Sequence, residues 1–479
     1  MNSRRIFLRN LLCATVATTL RDKKSFCAPA KLEFPIVRLA PSRRRFASKA
    51  VEAKIAEVKS TIADRELAWL FENCFPNTLD TTVNFSIRDN RPDTMVVTGD
   101  INAMWLRDSS AQVTPYLPLA REDKQLKELI AGVINRQTFC ILLDRYANAF
   151  SFGAKACPWG VNDKPPLSPE LCERKWEIDS LCYPLRLSYS YWKMTGDTSC
   201  FHKDWQQAAG LILKTFREQQ RVNGPGPYTF QRTTDNPIDT PPFNGLGNPT
   251  RKVGLIHSAF RPSDDSCIYP FLIPANMFAV VALRQLAEIQ AVVLSNKSFA
   301  DECRRLAQQV AQTVTTYGEA IAKRHGVVYA YEVDGFGNQL LMDDANVPSL
   351  LSLPYLGCCA STDPVYRRTR ALILSPENPY FFRGKAAEGI GGPHVGMNMI
   401  WPLGIIVRAL TSTDDREILF CLRMLKNTHG GTGFMHEAFD KDDPKKFTRS
   451  WFAWANTIFG ELILKLYEQR RYLLKVGLG

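Results

Sequence analysis

Residues 298–317 read SFADECRRLAQQVAQTVTTY, and their apolar positions recur at helical spacing. Phe299, Cys303, Leu306, Val310 and Val314 are separated by 4, 3, 4 and 4 residues. That spacing stacks them as one stripe of an α-helix and leaves the charged and amide side chains on the other face. The stripe predicts a helix over 298–324. Similar amphipathic segments run over 51–72, 105–118, 124–147, 177–194, 204–220, 271–291, 346–356, 363–375, 395–411, 414–427 and 449–471. Strand-like pieces are short: 226–232 and 326–333, the second closed by Asp334-Gly335.

The connections between these segments are unequal. The one around Thr195-Gly196-Asp197 is brief, whereas 75–103, 152–170, 222–265, 376–394 and 429–447 are long and rich in Pro, Gly and Asn. Long connections inside a compact domain are usually functional or disordered. A ring of six outer and six inner helices, with the long loops at one end, fits this alternation. The fold class is therefore all-α, an (α/α)6 barrel. No internal repeat of solenoid type is visible. No linker interrupts residues 46–479, which read as one domain behind a basic leader over 1–45.

At 479 residues with 45% hydrophobic and 23% charged content, the chain can bury a large core. The net charge of +12 is concentrated at one end: residues 1–50 hold 12 Lys or Arg against 2 acids, and the rest of the chain holds 48 against 46. The body is nearly neutral, so a nucleic-acid-binding face has no support there. Ser3-Arg4-Arg5-Ile6-Phe7-Leu8-Arg9 resembles a twin-arginine export motif. It is followed by the apolar run Leu11–Leu20 and a small-residue site at Ala28–Ala30. That run is too short to span a bilayer. The localisation expected is either export through this leader or the cytoplasm. Thirteen Cys without any Cys-x-x-Cys pair point to buried thiols rather than a disulfide framework or a zinc site. No Walker, His-Glu-x-x-His or EF-hand motif is present, so neither a metal nor a cofactor is expected.

The chemistry-bearing residues cluster in the long loops. FRPSDDSCIYPFLIPANMF carries Asp264 and Asp265 beside Tyr269 and Phe271, and GTGFMHEAFDKDDP carries Glu437. An acid and a base far apart in sequence, each among apolar residues, suit a two-carboxylate hydrolase. Either aspartate alone also reads as a helix cap, and Glu437 also reads as an exposed loop acid. VTGDINAMWLRDSSAQV supplies Asp100, Trp105, Arg107 and Asp108, a plausible sugar clamp or a buried ion pair at a helix start. KWEIDSLCYPL adds Glu177 and Asp179. Arg261 precedes the Asp pair. FFRGKAAEGIGGPHVGMNMIWPLG adds Arg383, His394 and Asn398, and His436 sits beside Glu437. Asp343, Asp344 and Asn346 form a further polar cluster.

Six ordered blocks carry a resemblance across roughly residues 50–470: TGDINAMWLRDSSAQ, EIDSLCYPLRLSYSYWKMTGD, FRPSDDSCIYPFLIPANMF, DGFGNQLLMDDANVPSLLSLPYLG, GIGGPHVGMNMIWPLG and GFMHEAFDKDD. The chain resembles the metal-independent exo-α-1,6-mannosidases of glycoside hydrolase family 125. That resemblance implies an (α/α)6 barrel and an inverting mechanism. It places the general acid in the Asp264-Asp265 pair and the general base at Glu437. It implies a mannose-containing oligosaccharide or N-glycan fragment as substrate. Trp105-Leu106-Arg107-Asp108 and Glu437-Ala438-Phe439-Asp440 are also similar to blocks of the glucoamylase group. A glycan-binding protein without catalysis, and a glycosidase or phosphorylase of another linkage, are the competing readings.

Overall fold

The structure is a computed structural model that describes residues 34–151, 157 and 159–478. The twin-arginine-like motif and the Ala28–Ala30 site lie outside the described residues. The compact unit runs from Val37 to Gly479. Residues before 46 already belong to it, because Arg38 pairs with Glu52 and Asp80.

Twelve helices alternate between two layers. The outer ones are α1 (Arg65–Cys74), α3 (Lys124–Leu143), α5 (Lys203–Gln219), α7 (Lys297–Tyr317), α9 (Pro364–Ile373) and α11 (Asp415–Asn427). The inner ones are α2 (Leu106–Val113), α4 (Asp179–Thr195), α6 (Ile273–Val292), α8 (Leu353–Leu356), α10 (Pro402–Leu410) and α12 (Ala453–Gln469). A further helix, Lys49–Lys59, packs on α1. Around the inner ring α12 packs on α2, α2 on α4, α4 on α6, α6 on α8, and α10 on α12. This is the (α/α)6 barrel.

Composition sorts the layers. Helix α7 buries Ala300, Cys303, Leu306, Ala307, Val310, Thr313 and Val314 and exposes the opposite face. Every residue of α2 is buried, and α10 is buried except at Arg408. A helix apolar or buried all round belongs inside. The helix starts differ in the same way. Asp64, Asp123, Asn296, Asp363 and Asp414 cap α1, α3, α7, α9 and α11 through their side chains. None of the six inner helices has a side-chain cap. Their N-terminal amides, with the positive end of each helix dipole, point toward the end that carries the long loops.

Short antiparallel pairings brace those loops. Met104–Trp105, Ala149–Phe150 and Leu171–Glu173 form one sheet, and Phe271–Leu272, Glu332–Val333 and Gln339–Leu340 another. Met399–Ile400 pairs with Phe439–Asp440. Cys157 is disulfide-bonded to Cys172, which corrects the expectation of thiols throughout; seven of the nine free cysteines described are buried.

Several elements differ from the sequence expectation. The segment 51–72 splits, because Asp64 starts a second helix by accepting from Leu67 N. The segment 346–356 shrinks to α8, since Asp343 takes the amides of Leu350 and Leu351 at 2.8 and 2.9 Å and holds turns there. Pro402 at the first turn delays the helix expected over 395–411. No strand forms over 226–232; one isolated bridge joins Gln231 to Lys164. The loop 75–103 instead holds the hairpin Val83–Arg88 with Arg91–Val96. Its turn residues Asp89 and Asn90 have φ of 48° and 59°, the left-handed pair of a type I′ turn. Pro92 in the second strand obscured it.

Gly460 tests the inner packing. It lies in α12, where Ala is intrinsically the better helix former by about 1 kcal/mol. A Cβ there would meet Phe75 Cδ2 at 2.5 Å and the Phe75 Cα at 3.0 Å. Gly460→Ala is therefore expected to destabilise the fold by about 1–3 kcal/mol, read from the shift in urea midpoint. A stabilised variant would show that α12 does not approach Phe75 this closely.

Candidate active site

The first turns of α2, α10 and α12 meet the long loops around a cavity. Its wall includes Thr98, Trp105, Arg107, Asp108, Asp264, Asn346, His394, Trp401, Glu437, Arg449, Phe452 and Trp454. One residue from each acidic patch, Asp264 and Glu437, lines the same cavity despite their distance in sequence.

Arg107 organises one side. Its guanidinium is buried, and Nη1 donates to Glu177 Oε2 at 2.6 Å and to Asp179 Oδ2 at 3.3 Å. Nη2 reaches Asp264 Oδ1 at 3.5 Å, and Nε lies 3.4 Å from Asp108 Oδ2. Thr98 donates to the other Asp108 oxygen at 2.7 Å. The Asn148 amide lies within 3.2–3.3 Å of Glu173, Glu177 and Asp264. Four carboxylates share one guanidinium, so they cannot all ionise in a buried site. Burial pushes Glu177 well above the ordinary carboxylate range, with Arg107 opposing and Asp264 and Asp179 adding to the rise. Burial likewise pushes Asp179 up to about 6, against Arg107. Burial also works against ionisation of Asp264, but Arg107, a hydrogen bond from Glu177 and Lys175 outweigh it and hold it down to about 2. Glu177 and Asp264 are thus driven in opposite directions, Glu177 toward its neutral form and Asp264 toward its ionised one.

The backbone of Asp264 is left-handed, with φ of 66°, a conformation that costs a non-glycine residue about 1–2 kcal/mol. Asp265 beside it points elsewhere. It is buried, and its Oδ1 accepts from His394 Nδ1 at 3.0 Å. Desolvation opposes a charge on His394, but the Asp265 hydrogen bond, with Asp264 and Glu437 nearby, raises its pKa to about 9.

Glu437 receives a donor on each oxygen: Thr448 Oγ1 at 2.9 Å and Arg449 Nη1 at 3.4 Å. Arg449 also bonds Asp100 through Nε at 2.8 Å and through Nη2, and it reaches the Thr98 carbonyl at 2.7 Å. The indole N–H groups of Trp105 and Trp401, both in the cavity wall, have no hydrogen-bond partner among the described residues.

Asp100, Trp105, Arg107, Asp108, Glu177, Asp179, Asp264, His394 and Glu437 therefore lie in or directly against the cavity. Besides Asp265, four residues singled out in sequence do not face it. Arg383 is exposed on a hairpin and pairs with Glu388 at 2.6 Å. Asn398 is exposed with φ of 68°, and its carbonyl accepts from Lys441 N. His436 is fully buried and stacked on Phe447 at 4.0 Å; its Nδ1 bonds the Arg449 carbonyl at 2.9 Å, and burial lowers its pKa. Arg261 is buried against Glu332 at 2.6 Å. His436 and Arg261 shape the loops that carry Arg449 and Asp264. Sequence reading passed over Thr98, Asn148, Lys175, Thr448 and Arg449. The one signal available for Arg449 was its place shortly before a helix start, whereas Arg107 stands in the first turn of its own helix.

Three likenesses bear on this site. The family model of the metal-independent alpha-mannosidases, glycoside hydrolase family 125, matches residues 64–464. The meiotically up-regulated gene 157 protein of Schizosaccharomyces pombe is 44% identical, over 95% of this chain and 93% of that protein. A Streptococcus pneumoniae metal-independent alpha mannosidase, solved as a non-productive substrate complex with alpha-1,6-mannobiose, is 42% identical. It covers 89% of this chain and 100% of its own, with a TM-score of 0.85.

Two measurements probe the electrostatics. Arg107→Met leaves buried carboxylates without their cation and is expected to cost about 3–5 kcal/mol in urea unfolding; an unchanged midpoint would show that the cluster does not need it. The folded pKa of His394, about 9, lies above its ordinary value of 6.5. Its contribution to stability is thus complete below 6.5 and is lost as pH rises through about 9. The Tm gap between the parent protein and His394→Gln should be open under acidic conditions and close above that pH. A gap that widens with pH contradicts the pairing.

Proposed function

Since this chain belongs to glycoside hydrolase family 125, the metal-independent α-mannosidases, we propose that it releases terminal, non-reducing α-1,6-linked mannose from a mannose-containing oligosaccharide or N-glycan fragment, with inversion of configuration. Asp264 is the general acid and Glu437 the general base. The observation that carries this reading is the placement of both carboxyls in one cavity, each in a different electrostatic setting. Asp264 belongs to a carboxylate cluster that must retain protons. Glu437 accepts from Thr448 and Arg449, donors that match an ionised carboxylate.

The choice of Asp264 over Asp265 follows from direction. Asp264 lines the cavity, whereas Asp265 is turned to His394. In the reaction, a proton from Glu177 passes through Asp264 to the glycosidic oxygen as the C1–O bond breaks. Glu437 takes a proton from water as that water bonds to C1 on the opposite face, which gives β-mannose. An inverting pair needs roughly 6.5–9.5 Å between carboxyls to admit the water. Asp108, Asp179, Arg107 and the two indole N–H groups suit sugar hydroxyls as acceptors and donors. The bound α-1,6-mannobiose of the Streptococcus pneumoniae protein supports the linkage. A cavity closed at its inner end by helix starts suits an exo mode of attack.

An anomeric NMR time course on α-1,6-mannobiose tests the stereochemistry. β-Mannose is expected as the first product, and α-mannose appearing first rejects inversion. Asp264→Asn and Glu437→Gln should each lower kcat by about 10²- to 10⁴-fold, with Asp265→Asn falling less. Full activity in Glu437→Gln would remove it as the base, and a larger loss in Asp265→Asn would move the acid to that residue.

A further inference from the structure

Lys175 is a buried cation that the reaction above leaves unused. Only 2% of its side chain is accessible. Its Nζ donates to the main-chain carbonyl of Asp264 at 2.8 Å and to Asp239 Oδ1 at 3.0 Å. It also lies 3.6 Å from Glu173 Oε1 and 5.2 Å from the ring centroid of Phe260. Three chain segments converge on this ammonium: the strand edge that ends at Glu173, the turn Pro237–Asp239, and the loop that carries Asp264.

The contact falls where the acid's backbone is least comfortable. Asp264 is left-handed, so its carbonyl and carboxyl directions are set by a conformation that the residue does not favour alone. The turn bonds Asp264 N to Arg261 O and Arg261 N to Asp265 O close the loop but do not grip the Asp264 carbonyl. Lys175 does. The same turn that holds Lys175 also ties the loop's far side, because Ser266 N donates to the Ile238 carbonyl at 2.7 Å. Asn148 completes the bracket: its Oδ1 accepts from Lys175 N at 3.1 Å, and its Nδ2 donates to Asp264 Oδ1 at 3.2 Å.

We propose that Lys175 is a positioning residue for the general acid, holding the Asp264 carbonyl so that the left-handed backbone aims the carboxyl at the glycosidic oxygen. This rests on the reading of Asp264 as the acid. Releasing the carbonyl lets residues 262–266 relax toward ordinary backbone angles and turns the carboxyl away. The loss then falls on proton delivery and not on sugar binding, whose groups lie on α2 and α4 or just before α2 and α10.

Leaving-group chemistry separates this from a merely structural role. A dinitrophenolate departs without protonation, whereas a sugar alkoxide does not. Kinetics of the full chain are measured on α-1,6-mannobiose and on 2,4-dinitrophenyl α-mannoside for Lys175→Met, Asp239→Asn and Asp264→Asn. Lys175→Met should lose about 10²-fold in kcat on mannobiose with KM unchanged, and should keep its rate on the aryl substrate. Asp239→Asn loosens the ammonium from a partly exposed position, so it should show the same pattern more weakly, and it decides the matter if Lys175→Met does not fold. Parallel losses on both substrates, or no loss on either, overturn the proposal. If Asp264→Asn itself loses both substrates alike while Glu437→Gln is inactive, the acid assignment fails and the positioning role falls with it.

Discussion

The site is built on one unequal balance: a single buried guanidinium, Arg107, against Asp108, Glu177, Asp179 and Asp264. Water would screen such an imbalance, but the side chains of Arg107, Asp108, Glu177 and Asp179 are buried. The excess negative charge is met in two other ways. Burial pushes Glu177 well above the ordinary carboxylate range and Asp179 up to about 6, which favours their neutral forms. The uncapped N-termini of α2 and α4, whose first turns carry Asp108 and Asp179, add the positive ends of their dipoles. Asp264, held low, is thereby kept next to Glu177, held high.

The opposite arrangement surrounds Glu437. Arg449 and Thr448 present donors, and Asp100 fixes Arg449 from behind. His436, the neighbour of Glu437 in sequence, acts one step further back by bonding the Arg449 carbonyl. Two arginines, each two residues from an aromatic residue and at or just before the start of an inner helix, thus create two electrostatic environments: one crowded with acids, one with a single acid per donor set.

The layering of the barrel was legible because helical period and apolar content are local properties. The stripe through Cys303, Leu306, Val310 and Val314 needed no partner to be read. Helices α2 and α10 were legible from the sequence blocks that precede them, although Pro402 moved the start of the second. The hairpin at 83–96 was not legible, because Pro92 and polar side chains broke the alternation that marks a strand. In the site, Arg107, Asp264 and Glu437 stood out through unusual neighbours. Asn148, Lys175 and Arg449 did not. Their significance lies in contacts to residues 116, 89 and 349 positions away along the chain, and nothing in a local window distinguishes such a residue from a solvated one. Arg383 and Asn398 show the converse, since polar residues in a promising loop can face solvent.

The two-residue strands in the loops set how the cavity can change shape. Trp105, Asn148 and Lys175 are fixed in or beside the sheet of Met104–Trp105, Ala149–Phe150 and Leu171–Glu173. Glu437 and His394 lie on the two chain segments zipped by Met399–Ile400 and Phe439–Asp440. The gap between Asp264 and Glu437 is therefore a gap between two jaws, each braced by a short antiparallel pairing and seated on inner helices. Residues at the loop tips can be exchanged to admit a different branch of a glycan while the jaws keep their span. On this design, the shape of the cavity mouth and the spacing of Asp264 and Glu437 are inherited separately: the first drifts with the tips, and the second is locked to the barrel.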